Sequence, residues 1–238
     1  MKILSFESTA KTASVALYSN GRTLASFTVD AGLTHSEVLL PMTEDVLRHA
    51  RCSFDEIDAY AVVCGPGSFT GIRIGVATVK GLAFGKNRPV VALSSTEALA
   101  QNMIGIAGLI VPVIDCRRNE CYCATFRSDG NEVYRLSEDE QMKIADLAPI
   151  LSSYEGDTIY LVGDATDKAY DILRSLGVEV KRAPIALRSP SAVNLGILAE
   201  KKITLGEVTT DAAIAPIYLK PAQAERERLE RENNKKEI

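Results

Sequence analysis

Residues 64–85, CGPGSFTGIRIGVATVKGLAFG, constrain this chain more than any other stretch. They join a continuous apolar run to a Gly-Pro-Gly turn and then to a helix. Glycine costs a helix interior about 1 kcal/mol relative to alanine, yet Gly71, Gly75 and Gly81 all fall inside this one. Something must therefore come very close to that backbone. The neighbour is either a nucleotide phosphate or another helix.

A length of 238 residues suits one large domain or two small lobes, and an apolar fraction of 46% supplies a packed core. The best candidate for a membrane span, residues 105–114, is too short and carries Pro112. The first residues run directly into a strand pattern, without the regions of a secretory signal. Five cysteines, an odd number, argue against a disulfide framework and for a reducing, cytoplasmic setting. A net charge of -4 argues against a nucleic-acid binder acting alone.

The hydrophobic pattern reads as a repeat of element order. Strands at 3–7, 12–19 and 22–28 come first, the last two joined by the hairpin signal Asn20-Gly21. Thr34 and Glu37 have capping-box spacing ahead of a helix to about Ala50, with a kink expected at Pro41. A strand at 59–64, the glycine turn and helix 70–85, a strand at 90–93 and a helix capped by Ser94 and Glu97 follow. The second half begins with strands at 109–114, 121–126 and 132–136, then a helix over 138–152. A strand at 158–162, a helix at 166–176 and a strand at 178–180 precede a last helix opened by Ser189-Pro190 and ending near Lys202. The expectation is an α/β protein of two related lobes, each a mixed sheet flanked by helices: an N-terminal lobe over 1–105, a C-terminal lobe over 106–220, and a charged tail over 221–238.

Each candidate site has a plain structural alternative. The loop 65–71 could cradle a phosphate at a helix N-terminus. It lacks the Gly-Lys-Ser/Thr of a P-loop, the spacing of a dinucleotide fingerprint and a nucleophile elbow; close packing explains it equally well. The face Gly71, Gly75, Thr78, Leu82 and Gly85 packs either on the chain's own sheet or on a partner helix. Glu7 and Asp115 end the first strand of each half, where two carboxylates could hold a metal near a triphosphate, or simply be surface acids. His35 and His49 are fourteen residues apart and Cys116, Cys121 and Cys123 have no second cluster, so no bound metal is expected. Ser68 has no histidine partner for a hydrolase.

The segments ILSFESTAKTASVAL, HSEVLLPMTEDVL, GPGSFTGIRIGVATVKGLAFG and DCRRNECYCATF resemble the bacterial TsaB (YeaZ) family over residues 1–126, with weaker likeness at YLKPAQAE. That resemblance implies the actin/Hsp70-like (ribonuclease H-like) fold. It implies a part in making N6-threonylcarbamoyladenosine at position 37 of tRNAs that read codons beginning with A. Such proteins are non-catalytic: they bind a catalytic paralogue, TsaD, which is joined by the ATPase TsaE, and tRNA is met only through that complex. Alone they pair as homodimers, and ATP or ADP belongs to the junction with the partner rather than to the isolated chain. The partner surface implied is the first two helices, here His35, Leu39, Met42, Val46, Gly71, Gly75, Thr78 and Leu82. A vestigial nucleotide-phosphate site would comprise Glu7, Ser8, Thr9, Gly67, Asp115 and Arg117. This chain departs from the family in placing Glu7 where aspartate is usual, and it lacks the His-x-x-x-His motif of the catalytic paralogue. The competing reading is a self-sufficient ATPase or kinase-like enzyme of the same fold; the family's older glycoprotease label has no support in these residues.

Overall fold

The computed structural model describes residues 1–219; the expected charged tail, 221–238, lies outside the described residues. The first half starts with β1 (Lys2–Glu7), β2 (Ala13–Ser19) and β3 (Arg22–Val29), followed by α1 (His35–His49). Asn20 and Gly21 both take positive φ, 48° and 77°, as the tight β2–β3 hairpin requires. At the start of α1, Glu37 accepts hydrogen bonds from both the backbone and the hydroxyl of Thr34, so the capping pair read from sequence is formed. β4 (Ala59–Gly65), α2 (Phe69–Ala83), β5 (Val90–Ser94) and α3 (Ser95–Gln101) complete the half.

The second half runs β6 (Gly108–Asp115), β7 (Glu120–Cys123), β8 (Phe126–Ser128), β9 (Val133–Arg135), β10 (Glu140–Lys143), α4 (Leu147–Ser152), β11 (Ile159–Val162), α5 (Thr166–Ser175), β12 (Lys181–Arg182) and α6 (Ala192–Thr204). The first sheet has strand order β3-β2-β1-β4-β5 and the second β10-β7-β6-β11-β12. In both, the first three strands are antiparallel and the last two pairings parallel. The repeat of element order is thus a repeat of sheet topology.

Several sequence expectations shift. The strand expected at 121–126 is broken into β7 and β8, which pair successive stretches of the same edge of β6. The seat of β3 is filled in the second sheet by β10, inside the span expected to be helical from 138. Residues 140–143 are good helix formers, but their ladder with β7 overrides that preference; the helix begins only at Leu147. Val178 and Val180 are buried in the core, and the short strand lies just beyond them at Lys181–Arg182. The last helix starts two residues late: Ser191, not Ser189-Pro190, caps it, its hydroxyl accepting from the Val193 amide.

α1 and α2 cover one face of the first sheet. Its other face meets Ala98 of α3 and Leu195 and Ala199 of α6. α6 has therefore left the second half, within the span 106–220, to pack on the first sheet. Thr209 and Val90 exchange backbone hydrogen bonds, and the Ile217 amide donates to the Cys64 carbonyl, so the chain beyond α6 follows it. α4 and α5 cover one face of the second sheet, and Leu99 and Ala100 of α3 pack on its opposite side. α3 is shared between the lobes. No helix among the described residues is long and apolar enough to cross a membrane.

Candidate docking face and interlobe cleft

The close neighbour of the glycine helix is the chain's own first strand. A Cβ on Gly71 would lie 1.9 Å from the Ser8 carbonyl oxygen, and one on Gly75 would lie 2.4 Å from Ser8 Oγ. Ser8 Oγ donates to the Gly71 carbonyl at 2.8 Å. The turn before the helix is equally tight: Gly67 holds φ at +152°, and a Cβ there would meet the Thr9 carbonyl at 2.8 Å.

This packing engages several polar groups of the turn and of the helix start. The Ser68 amide donates to Thr9 O and the Ile72 amide to Ser68 O, while the Gly71 amide donates to Ser68 Oγ. Glu7 is completely buried. Its Oε1 accepts from the amide and hydroxyl of Thr9, at 2.6 and 2.5 Å. Its Oε2 and Thr12 Oγ1 are buried with no hydrogen-bond partner among the described residues. Burial pushes the Glu7 carboxyl up to about 7, against the opposing pull of the Thr9 bonds. Asp115 ends β6 as Glu7 ends β1, but it is exposed and ion-paired to Lys168 at 2.6 Å. Arg117 follows in a left-handed run with Arg118 and Asn119, φ 72°, 52° and 60°. The six residues of the expected phosphate site thus split: Glu7, Ser8 and Thr9 are buried, Gly67 is wedged against Thr9, and Asp115 and Arg117 face solvent.

A small cleft lies between the lobes, enclosing about 100 Å³. Thr9, Lys11 and Thr12 form one wall, Ile114 and Asp164 the other, and Ser95 and Leu99 of α3 also line it. Burial lifts the Asp164 carboxyl above its ordinary range, and the Asp115 amide that it accepts from opposes the rise. Among the described residues, no three His, Cys, Asp or Glu side chains group as metal ligands would.

The expected docking face needs correction in its membership. Leu39, Met42 and Val46 point into the core under α1. Gly71 and Gly75 are buried against β1. His35 is half-buried, its Nε2 3.3 Å from the Thr12 carbonyl, and Thr78 and Leu82 are half-buried on α2. The outward face of the two helices carries Leu40 and Pro41 on α1, and Arg73, Ala77, Gly81 and, just past the helix, Phe84 on α2. Phe84 is 80% exposed. A Cβ on Gly81 would meet none of the described residues within 4 Å. The exposed small residues of α2 are therefore Ala77 and Gly81, spaced i, i+4 on one face. The sequence did hold this signal. The inward set Ile72, Gly75, Val76, Val79 and Ala83 keeps helical spacing, which leaves 77 and 81 on the far side.

Two sheets of like topology, joined through a shared helix and enclosing a cleft, define a two-lobed protein of the actin-like class. Comparison with known proteins narrows that class. A family model described as TsaD, tRNA N6-adenosine threonylcarbamoyltransferase, matches residues 29–228. The tRNA threonylcarbamoyladenosine biosynthesis protein TsaB of Bacillus subtilis is 27% identical, covering 97% of this chain and 99% of its own length. The TsaB protein of Escherichia coli K12 is 28% identical, over 92% of this chain and 95% of its own. The solved structure of YeaZ from Pseudomonas aeruginosa superimposes with a TM-score of 0.78 at 27% identity, over 92% of this chain and 99% of that one. The chain belongs to the TsaD-type family that the model defines and, within it, to the TsaB (YeaZ) branch.

Proposed function

We propose that this protein is a non-catalytic subunit in the biosynthesis of threonylcarbamoyladenosine in tRNA, and that it works by docking a catalytic TsaD-type paralogue. The outward face of α1 and α2 carries the reading. Leu40, Ala77, Gly81 and Phe84 are exposed apolar or small positions on or just past these two helices, set among the charged Glu37, Glu44 and Arg73. Small residues let a partner helix approach closely, and apolar neighbours supply the burial. The names of the relatives supply the pathway. In the proposal the same face pairs two copies when the paralogue is absent, TsaE joins the assembly, ATP or ADP is held at the subunit junction, and tRNA is met through the complex in the cytoplasm.

Two features support a non-catalytic role. The Glu7 carboxyl is sealed from solvent. The Ser68 and Gly71 amides at the glycine turn donate within the chain itself. The test is a pull-down with TsaD, together with a size measurement of the chain alone. Gly81→Arg places a long cation on the open side of α2, where the fold has room for it. Loss of co-purification by a variant with undiminished thermal stability supports the reading; normal pairing overturns the proposed face. Calorimetry of the isolated chain with Mg-ATP tests the competing enzyme reading: tight binding with turnover would replace the scaffold.

A further inference from the structure

The two lobes meet at a charged cluster that the docking face does not use. Asp139 lies between β9 and β10, in the second lobe. Its Oδ2 accepts from Ser94 Oγ at 2.6 Å, and its Oδ1 accepts from Thr96 Oγ1. Ser94 ends β5 of the first sheet, and Thr96 stands in the first turn of α3. Arg135 neutralises the carboxylate, its Nη1 2.9 Å from Asp139 Oδ1, and its Nη2 reaches Thr96 Oγ1 at 3.4 Å. The arginine itself is fixed by the Ser137 carbonyl and by the Phe126 ring beneath its guanidinium. Thr96 is fully buried and the Asp139 side chain only 18% exposed. Bonds to a shielded carboxylate are among the stronger hydrogen bonds of a protein.

The other end of α3 is fastened as well. Asn102 Nδ2 donates to the Leu187 and Ser189 carbonyls at 2.6 and 2.8 Å, and Asn102 Oδ1 accepts from Asn194. Between these ends, Ser95 and Leu99 of α3 line the cleft. Clefts that bury a drug-sized ligand run from about 300 to 1,000 Å³, so the ~100 Å³ enclosed here is small for such a ligand. The Asp139 contacts join β5 and the first turn of α3 to the β9–β10 segment directly, beside the residues that line this cleft rather than among them.

The geometry points to an interlobe latch: Asp139, charged and oriented by Arg135, holds the cleft shut by clamping Ser94 and Thr96. The latch is a property of the isolated chain and stands apart from the docking proposal. Hydrogen exchange on the full chain tests it, in Asp139→Ala and in the near-isosteric Thr96→Val. Amides of the cleft walls, residues 9–12, Arg188 and Ser189, are expected to exchange roughly ten times faster or more in Asp139→Ala, as for loss of hydrogen bonds to a charged group. Thr96→Val, which leaves the Ser94 bond in place, gives a smaller change in the same segments. The strands β2 and β3, at the edge of the first sheet away from β5, keep their protection. Unchanged exchange at the cleft walls overturns the latch, and so does a uniform rise over all amides, which reports global destabilisation. If Asp139→Ala fails to fold, Thr96→Val carries the same test with the same two outcomes.

Discussion

Glu7 carries a titratable proton into the centre of the molecule. Its folded pKa, about 7, lies above the ordinary 4.5 of a glutamate because burial penalises the charged form. The folded chain therefore keeps this proton between about pH 4.5 and 7 while the unfolded chain releases it. In that window the native state binds more protons, so stability falls as pH rises, and it levels off above 7. The contribution lost is on the order of 3 kcal/mol. Glu7→Gln should abolish this part of the slope, read as denaturant midpoints from pH 5 to 8; a variant that keeps the full slope would place the proton elsewhere. The glycines give a second test at this scale. Gly75→Arg, aimed at Ser8 Oγ, should prevent folding or cost several kcal/mol, whereas Gly81→Arg should leave the melting temperature unchanged or raise it by about 2–4 °C. Circular dichroism separates them, and equal damage from both would contradict the inward and outward assignment. The glycine spacing told of a close approach; it did not tell which glycines were approached, because Gly71, Gly75 and Gly81 look alike until Ser8 is placed beside two of them.

At the scale of elements, local signals decided whatever local physics governs. Asn20-Gly21 made its hairpin, and Thr34 with Glu37 made its cap. Replacing Thr34 by alanine should cost about 1 kcal/mol of stability, measured by chemical denaturation; a cost near zero would show that the Glu37 contact adds nothing. The errors fell where a neighbour outvoted local preference. Glu140, Gln141, Met142 and Lys143 favour helix, yet β7 offers an open edge and takes them as β10. Ser189-Pro190 looks like a helix start, but the cap fell to Ser191. The docking face shows the same division. Periodicity put apolar residues on α1 and α2 correctly, and the core claimed Leu39, Met42 and Val46, leaving Leu40 and Phe84 outside.

On the scale of the whole molecule, α6 binds the two halves into one unit. The Ser5 hydroxyl donates to the Ala192 carbonyl, the Ala192 amide to Ser14 Oγ, and the Tyr18 hydroxyl to Glu200, so α6 is pinned along β1 and β2. Leu195→Ala should destabilise the entire protein by about 2–5 kcal/mol in a single transition. A fragment of residues 1–105 leaves Ile3, Ala61 and Val63 without their α6 cover and should stay unfolded or aggregate. A cooperative melt of that fragment alone would show the lobes to be independent. The sequence by itself determined the repeated order of strands and helices, the capping and turn chemistry, the close approach at the glycine helix and the likeness to its family, since all of these are written in neighbouring residues. Tertiary structure alone decided that α6 returns to the first sheet, that Asp139 reaches Ser94 and Thr96, and that Ser8 is what the glycines of α2 admit. The hydrogen bonds that do this join residues 43 to 187 positions apart, and no local pattern specifies which distant surface will fill a given face.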